Sequence, residues 1–64
     1  MENKVKDFRK SAGWTQADLG ERLNVSRQTV IAIENGKYDP SLPLAFQIAR
    51  EFDCKIEEIF IFYG

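Results

Sequence analysis

The chain has 64 residues, with nine Lys plus Arg against ten Asp plus Glu, no His and a single Cys. That length fits one small domain, and with no His and only Cys54 it excludes a Cys/His zinc cluster, a Ser-His-Asp or Cys-His catalytic group and an intrachain disulfide. The longest apolar runs, such as Val30-Ile31-Ala32-Ile33 and Ile59 to Tyr63, fall far short of the roughly 20 residues that cross a bilayer, and Met1 to Lys6 lacks the apolar stretch of a signal peptide, so a cytoplasmic location is expected.

Val5, Phe8 and Ala12 recur at helical spacing, and Gly13 closes that first helix as a left-handed residue. Lys4, Lys6, Arg9 and Lys10 are expected to form its solvated side. Thr15 caps a second helix, and Asp18 three positions on makes a near capping box, with Asp in place of Glu. Trp14, just before the cap, is placed to pack on Leu19 as a hydrophobic staple. The inward stripe of this helix reads Ala17, Leu19, Gly20 and Leu23. Only Asn24-Val25 separates it from the next cap, Ser26.

A third helix runs from Arg27 to about Asn35, with Val30 and Ile33 inward and Gly36 stopping it. Lys37-Tyr38-Asp39-Pro40 reads as a loop. Ser41 caps a fourth helix, with Pro43 in the first turn, where a missing N–H is harmless. Leu44, Ile48 and Phe52 form its stripe, with Ala45 and Ala49 alongside. A last short helix covers about Ile56 to Phe60, helped by Glu57 and Glu58 in its first turn. The closing Phe60-Ile61-Phe62-Tyr63 is β-prone. The expected class is all-α, five short helices and a terminal strand.

The stretch from Thr15 to Glu34 carries the functional signal. A connection as short as Asn24-Val25 forces two helices to cross steeply, as in a helix-turn-helix. Gly20 permits the close crossing, and Asn24 tolerates the left-handed turn. Val30 and Ile33 bury one side of the third helix, which leaves Arg27, Gln28, Ile31 and Ala32 pointing elsewhere. These residue types suit the major groove: Arg27 can pair with guanine O6/N7, Gln28 with adenine N6/N7, and Ile31 can cover a thymine methyl. Thr15 and Gln16 stand at a helix N-terminus, where backbone N–H groups favour a phosphate. Ser26 and Thr29 begin the reading helix, and Asn35, Lys37, Tyr38 and Ser41 follow it as clamps for the other flank. Charge is divided accordingly: residues 1–38 carry seven bases and five acids, residues 39–64 two bases and five acids.

The ordered set Thr15-Gln16-Ala17-Asp18-Leu19, Val25-Ser26-Arg27-Gln28-Thr29-Val30 and Ile33-Glu34-Asn35-Gly36-Lys37-Tyr38 resembles the XRE, or phage-repressor/Cro type, helix-turn-helix family. Pro40-Ser41-Leu42, Ile48-Ala49 and Ile56-Glu57-Glu58-Ile59-Phe60 continue the likeness over nearly the whole chain. It is most similar to small stand-alone dimeric repressors such as the regulator of a cytolysin operon. The resemblance implies a five-helix, lambda-repressor-like DNA-binding domain over residues 1–64, with the helix-turn-helix at about 15–35 and a dimerisation tail at about 56–64. It further implies homodimeric binding to an inverted repeat, with Gln16 as a phosphate-and-base contact, Arg27 and Gln28 as the reading pair, and Ala32 at a frequent reader position. Three residues depart from the family pattern: Asn24 replaces the common turn Gly, Ala32 offers no hydrogen bond, and Lys55 occupies the usual Ser/Thr cap of the fifth helix. Cys54 falls where the family usually has a small apolar residue and is read as core.

Glu34 is read as structural, an ion-pair partner of Arg9 or Arg22 that holds the third helix. Asp18, Glu21, Glu57 and Glu58 are read as solvated helix charges rather than acid–base pairs. Alternation along the tail would send Phe60 and Phe62 one way and Ile61 and Tyr63 the other. Burying these four across a two-fold axis, as a strand at the dimer interface with residues 1–5 alongside, removes an apolar liability; folding back over its own helices is the alternative. The whole reads as a transcriptional regulator, a repressor rather than an activator, that partners double-stranded DNA and itself. No catalysis, cofactor, metal, small-molecule ligand or membrane is implied. The rival from another class is an antitoxin or protein-interaction module on the same fold, favoured by the acidic second half and apolar tail.

Overall fold

The computed structural model describes residues 1–63. Five helices follow one another: α1 (Val5–Ala12), α2 (Gln16–Leu23), α3 (Arg27–Glu34), α4 (Leu42–Glu51) and α5 (Ile56–Ile59). Two short strands, β1 (Glu2–Asn3) and β2 (Phe60–Ile61), bring the ends of the chain together. They pair antiparallel, Glu2 opposite Ile61 and Asn3 opposite Phe60. The class is therefore mostly helical, as expected, with a strand pair closed within one subunit.

Local chemistry starts the middle helices as the sequence reads. Thr15 accepts a hydrogen bond from the Asp18 N–H while Asp18 accepts one from the Thr15 N–H, which completes the capping box. Ser26 and Ser41 each accept the N–H three residues on, from Thr29 and Leu44. At the fifth helix, where Lys55 supplies no side-chain cap, Glu58 accepts from the Lys55 N–H at 2.7 Å. The first turn is thus closed from its far side.

The first four helices share one way of stopping. Trp14 N–H returns to the Arg9 carbonyl, Val25 to Gly20, Lys37 to Ala32 and Cys54 to Ala49. In each case the preceding residue, which bonds back to a carbonyl three residues earlier, has positive φ: Gly13, Asn24, Gly36 and Asp53. This paired bonding satisfies the orphan carbonyls of a helix end. Asn24 at φ 59 fills the turn left open by the missing Gly.

The core is built from Val5, Leu19, Leu23, Val30, Ile33, Ala45, Ile48, Ala49, Ile59 and Phe60, with Phe8, Trp14, Val25, Leu44, Phe52, Cys54 and Ile56 packed against it half-buried. Several sequence expectations are corrected. Ala12 and Ala17, expected inside, are exposed, and the buried place on α1 goes to Arg9. On α4 the deepest positions are Ala45, Ile48 and Ala49, while Leu44 is half-buried. Phe52 comes just after the helix and packs its ring on Phe8 at 5.6 Å and Trp14 at 5.3 Å. Trp14 also carries the Arg22 guanidinium, 3.9 Å above its ring.

The fifth helix stops at Ile59, one residue earlier than expected, because Phe60 is already extended and paired with Asn3. Phe60 is in the core of its own subunit, whereas Phe62 is exposed, so the expected alternation ends with the two-residue strand. Asn3 holds this corner. Its side chain donates to the Ile33 carbonyl at 2.8 Å and accepts from the Val5 N–H at 3.1 Å. The Lys4 N–H donates to the Ile59 carbonyl. The chain ends are thereby fastened to the C-terminal end of α3.

Candidate nucleic-acid interface

α2 and α3 are held at their crossing by Gly20. A methyl group built there would lie 2.9 Å from the Val25 carbonyl oxygen and 3.5 Å from the Arg27 nitrogen. The Val25 oxygen is backbone and is the close approach, the Arg27 nitrogen being at ordinary contact distance, so only a residue without Cβ lets the turn sit this close. Behind the turn, Val30 and Ile33 are fully packed and fix the rotation of α3 about its axis. That rotation leaves Arg27 and Gln28 exposed and Thr29, Ile31 and Ala32 half-buried. Among the described residues, neither Arg27 nor Gln28 has a side-chain hydrogen bond or ion pair.

The hydroxyls predicted to position a nucleic-acid backbone already have internal work. Ser26 Oγ receives the Thr29 N–H at 3.1 Å and lies 2.9 Å from Thr29 Oγ1. Thr15 and Ser41 cap α2 and α4. All three are exposed at helix starts. Asn35, Lys37 and Tyr38 are exposed on the far side of α3, on a loop folded back by the Lys37 and Tyr38 N–H groups, which both reach the Ala32 carbonyl.

Beneath this face runs a buried polar chain. Arg9 is not part of a solvated side of α1, as the sequence suggested; its guanidinium grips Glu34 with Nε at 2.7 Å and Nη2 at 3.3 Å. Arg9 Nη1 also donates to the Trp14 carbonyl at 2.9 Å. Gln16 Nε2 donates to the same Glu34 carboxylate at 3.2 Å. Arg9 is the Glu34 partner, while Arg22 pairs with Glu51. One ion pair thus joins α1 to α3 and reaches Gln16. Trp14, Thr15, Gln16, Ala17 and Arg27 line one shallow depression where the starts of α2 and α3 converge. Gln16 and Arg27 stand together there, with the Glu34 charge neutralised below them.

Elsewhere, burial first and then the Glu58 and Asp53 carboxylates push the Cys54 thiol up, which disfavours its thiolate form. In the tail, Ile61 is half-buried and Tyr63 donates its hydroxyl proton to Glu2, which raises its own pKa. Asn3 was missed in the sequence because its shortest hydrogen bond goes to Ile33, 30 residues away, while its other partners, Met1 and Val5, are local; an Asn two residues before a helix carries no signal of the distant one.

An extended, capped helix pair crossing at a glycine, with one helix turned so that Arg and Gln are free, is the architecture of a helix-turn-helix. The model of the Helix-turn-helix family matches residues 5–59. The chain belongs to the XRE-type helix-turn-helix family. An uncharacterised HTH-type transcriptional regulator of Methanocaldococcus jannaschii is 61% identical over 62 residues, 97% of this chain and 94% of the relative. One from Bacillus subtilis is 52% identical over 60 residues, 94% of this chain and 91% of the relative. A competence pilus inhibition repressor of Acinetobacter baylyi is 32% identical over 57 residues, which span 89% of this chain but 52% of that protein. Among solved structures, a hypothetical transcription factor from Neisseria superposes with a TM-score of 0.77 at 22% identity, covering 84% of this chain and 61% of the other. This helix-turn-helix protein is a transcriptional regulator, in a family of regulators rather than enzymes. No described helix is long and apolar enough to cross a membrane.

Proposed function

We propose that this helix-turn-helix protein represses transcription as a homodimer on an inverted-repeat operator, with α3 in the major groove of each half-site. The observation that carries the reading is the division of α3 into a locked and a free side. Val30 and Ile33 are buried, while Arg27 and Gln28 are exposed and unpaired among the described residues. Arg27 is the guanine reader and Gln28 the adenine reader, with Ile31 and Ala32 offering apolar surface to thymine methyls. Thr15, Gln16, Ser26 and Thr29 position the backbone at the start of α3. Asn35, Lys37, Tyr38 and Ser41 do the same beyond its end.

Two-fold pairing of subunits, with Ile61, Phe62 and Tyr63 at the join, spaces the half-sites one helical turn apart, about 34 Å. Phe60 contributes indirectly, through the core beneath the strand. Repression is favoured because a compact dimer seated on a promoter obstructs polymerase without further parts, and the Acinetobacter baylyi relative is a repressor by name.

A selection from a random duplex pool, at near-physiological salt, tests the proposal. Wild type should recover an inverted repeat, and Arg27→Ala should lose ~1–3 kcal/mol on the best site and relax its specificity. Enrichment of no sequence, with retention fading smoothly as salt rises, would count against sequence reading altogether. Equal losses on matched and mismatched sites would demote Arg27 to a phosphate contact.

A further inference from the structure

The end of α3 is fastened from outside the helix-turn-helix. The Ile33 carbonyl is among the last four of α3, which have no partner within the helix. It accepts two hydrogen bonds, one from the Gly36 N–H at 3.0 Å and one from Asn3 Nδ2 at 2.8 Å. The first closes the turn that follows the helix, and the second comes from 30 residues away in sequence. Asn3 Nδ2 also donates to the Met1 carbonyl at 3.3 Å, and Asn3 Oδ1 accepts the Val5 N–H at 3.1 Å. Both donors and the acceptor of this amide are therefore engaged. Its backbone is anchored as well: Asn3 pairs opposite the buried Phe60, and the Lys4 N–H donates to the Ile59 carbonyl.

A second contact lays the strand against the loop itself. Gly36 has φ +74, and a methyl group built there would lie 3.3 Å from the Met1 carbonyl oxygen. The chain before Asn3 thus packs on the turn that opens the loop to Asp39. Lys37 and Tyr38 come next, both exposed, with their N–H groups on the Ala32 carbonyl. A shift of the Ile33–Gly36 turn therefore carries Lys37 and Tyr38 with it. Arg27 is insulated from such a shift. It stands six residues before Ile33, about 9 Å along the helix, and the packed Val30 fixes α3 between them.

We infer that Asn3 is a positioning residue for DNA binding: through the Ile33 carbonyl and the Gly36 turn it sets where Lys37 and Tyr38 meet the phosphates, while base reading by Arg27 and Gln28 is left untouched. This role rests on the backbone contacts proposed above for Lys37 and Tyr38, and it brings β1, which lies outside the helix-turn-helix, into the binding of DNA.

Asn3→Ser separates the two jobs of the side chain. A serine hydroxyl can still accept the N–H two residues on, but it is too short to reach Ile33. Wild type, Asn3→Ser, Lys37→Ala and the double variant, all as the full chain, are titrated over a salt series with a mixed-sequence duplex of about 30 base pairs, long enough for two half-sites one turn apart. Circular dichroism fixes a temperature at which each is folded. Asn3→Ser should bind about 5- to 10-fold more weakly and lower the slope of log K against log salt by about one, as for one lost phosphate contact. The double variant should fall within about twofold of Lys37→Ala, because both changes act on one contact. In the free protein, the Gly36, Lys37 and Tyr38 amides should exchange faster while those of α2 and α4 keep their protection. Asn3→Asp at neutral pH also keeps the local turn without a donor for Ile33, and serves if the serine variant loses helicity.

Losses that add in full, or a wild-type salt slope in Asn3→Ser, would overturn the positioning role and leave Asn3 a purely structural residue. Wild-type exchange at the Gly36 turn would overturn the link between Asn3 and the loop. An unchanged slope in Lys37→Ala would instead remove the phosphate contact on which the role depends. A wild type that binds no duplex overturns the DNA reading itself.

Discussion

Arg9 Nε lies 2.7 Å from Glu34 Oε2, with the two side chains only 9% and 3% exposed. The pair joins α1 to the end of α3 and holds Gln16 by a third bond. Removing one partner strands a buried charge, which typically costs about 3–5 kcal/mol. Glu34→Ala should therefore lower the free energy of urea unfolding by that order. Replacing both, as Arg9→Met/Glu34→Met, should recover much of the loss, since apolar substitution of a buried pair is often nearly neutral. The double variant still frees Gln16, so its DNA affinity should stay below wild type at restored stability. Full recovery of affinity would show that the pair does not orient Gln16.

Gly20 tests the crossing itself. Alanine is the better helix former by about 1 kcal/mol, so a helix with room would gain from the change. Here the new methyl meets the Val25 carbonyl oxygen at 2.9 Å, and the Arg27 nitrogen is the next atom out. Gly20→Ala should destabilise by about 1–3 kcal/mol, the usual cost of overpacking, and weaken DNA binding through a displaced Arg27. Thermal unfolding and a duplex titration read the two effects separately. A stabilised variant would mean that the turn can open without strain.

Much of this fold was legible because it is written in neighbouring residues. Thr15, Ser26 and Ser41 cap as their types dictate, and Gly13, Asn24 and Gly36 sit where helices must end. Val30 and Ile33 could be placed inward by spacing alone, and from them the outward Arg27 and Gln28 followed. What spacing could not place were residues decided by a distant partner. Arg9 looks like one of four solvated cations until Glu34, 25 residues away, takes it inside. Ala17 is small and apolar and therefore fits either side of a helix; the Gly20 crossing turns it out. Phe60 and Phe62 read alike, but only Phe60 has Asn3 opposite it to hold an extended backbone against the core.

Asp53 is the non-glycine residue that ends α4 in the left-handed region, at φ 50. That conformation costs most L-residues about 1–2 kcal/mol, and a carboxylate at a helix C-terminus faces the negative end of the dipole. Asp53→Asn keeps a side chain that tolerates the turn and removes the charge; Asp53→Gly removes the steric cost too. Asn should raise stability by a few tenths of a kcal/mol and Gly by about 1 kcal/mol. Urea midpoints check the order. If Asn and Gly both destabilise, the carboxylate is making a favourable contact at the α4–α5 turn.

The capping box of α2 predicts how acid weakens the fold. Asp18 accepts the Thr15 N–H at 2.9 Å, and that backbone bond, followed by the Thr15 hydroxyl, holds its carboxyl below the usual range. A carboxylate with a lowered folded pKa contributes stability that is fully present above its unfolded value, about 3.9. The contribution is lost as pH falls through the folded value, because the unfolded chain then binds the proton first. Asp18→Asn retains an oxygen for the Thr15 N–H but has no proton to gain. Wild type should be the more stable at neutral pH, and the two melting curves should converge as the pH is lowered from about 5 to about 2. Parallel pH profiles would show that the Asp18 charge adds nothing beyond the geometry of the cap.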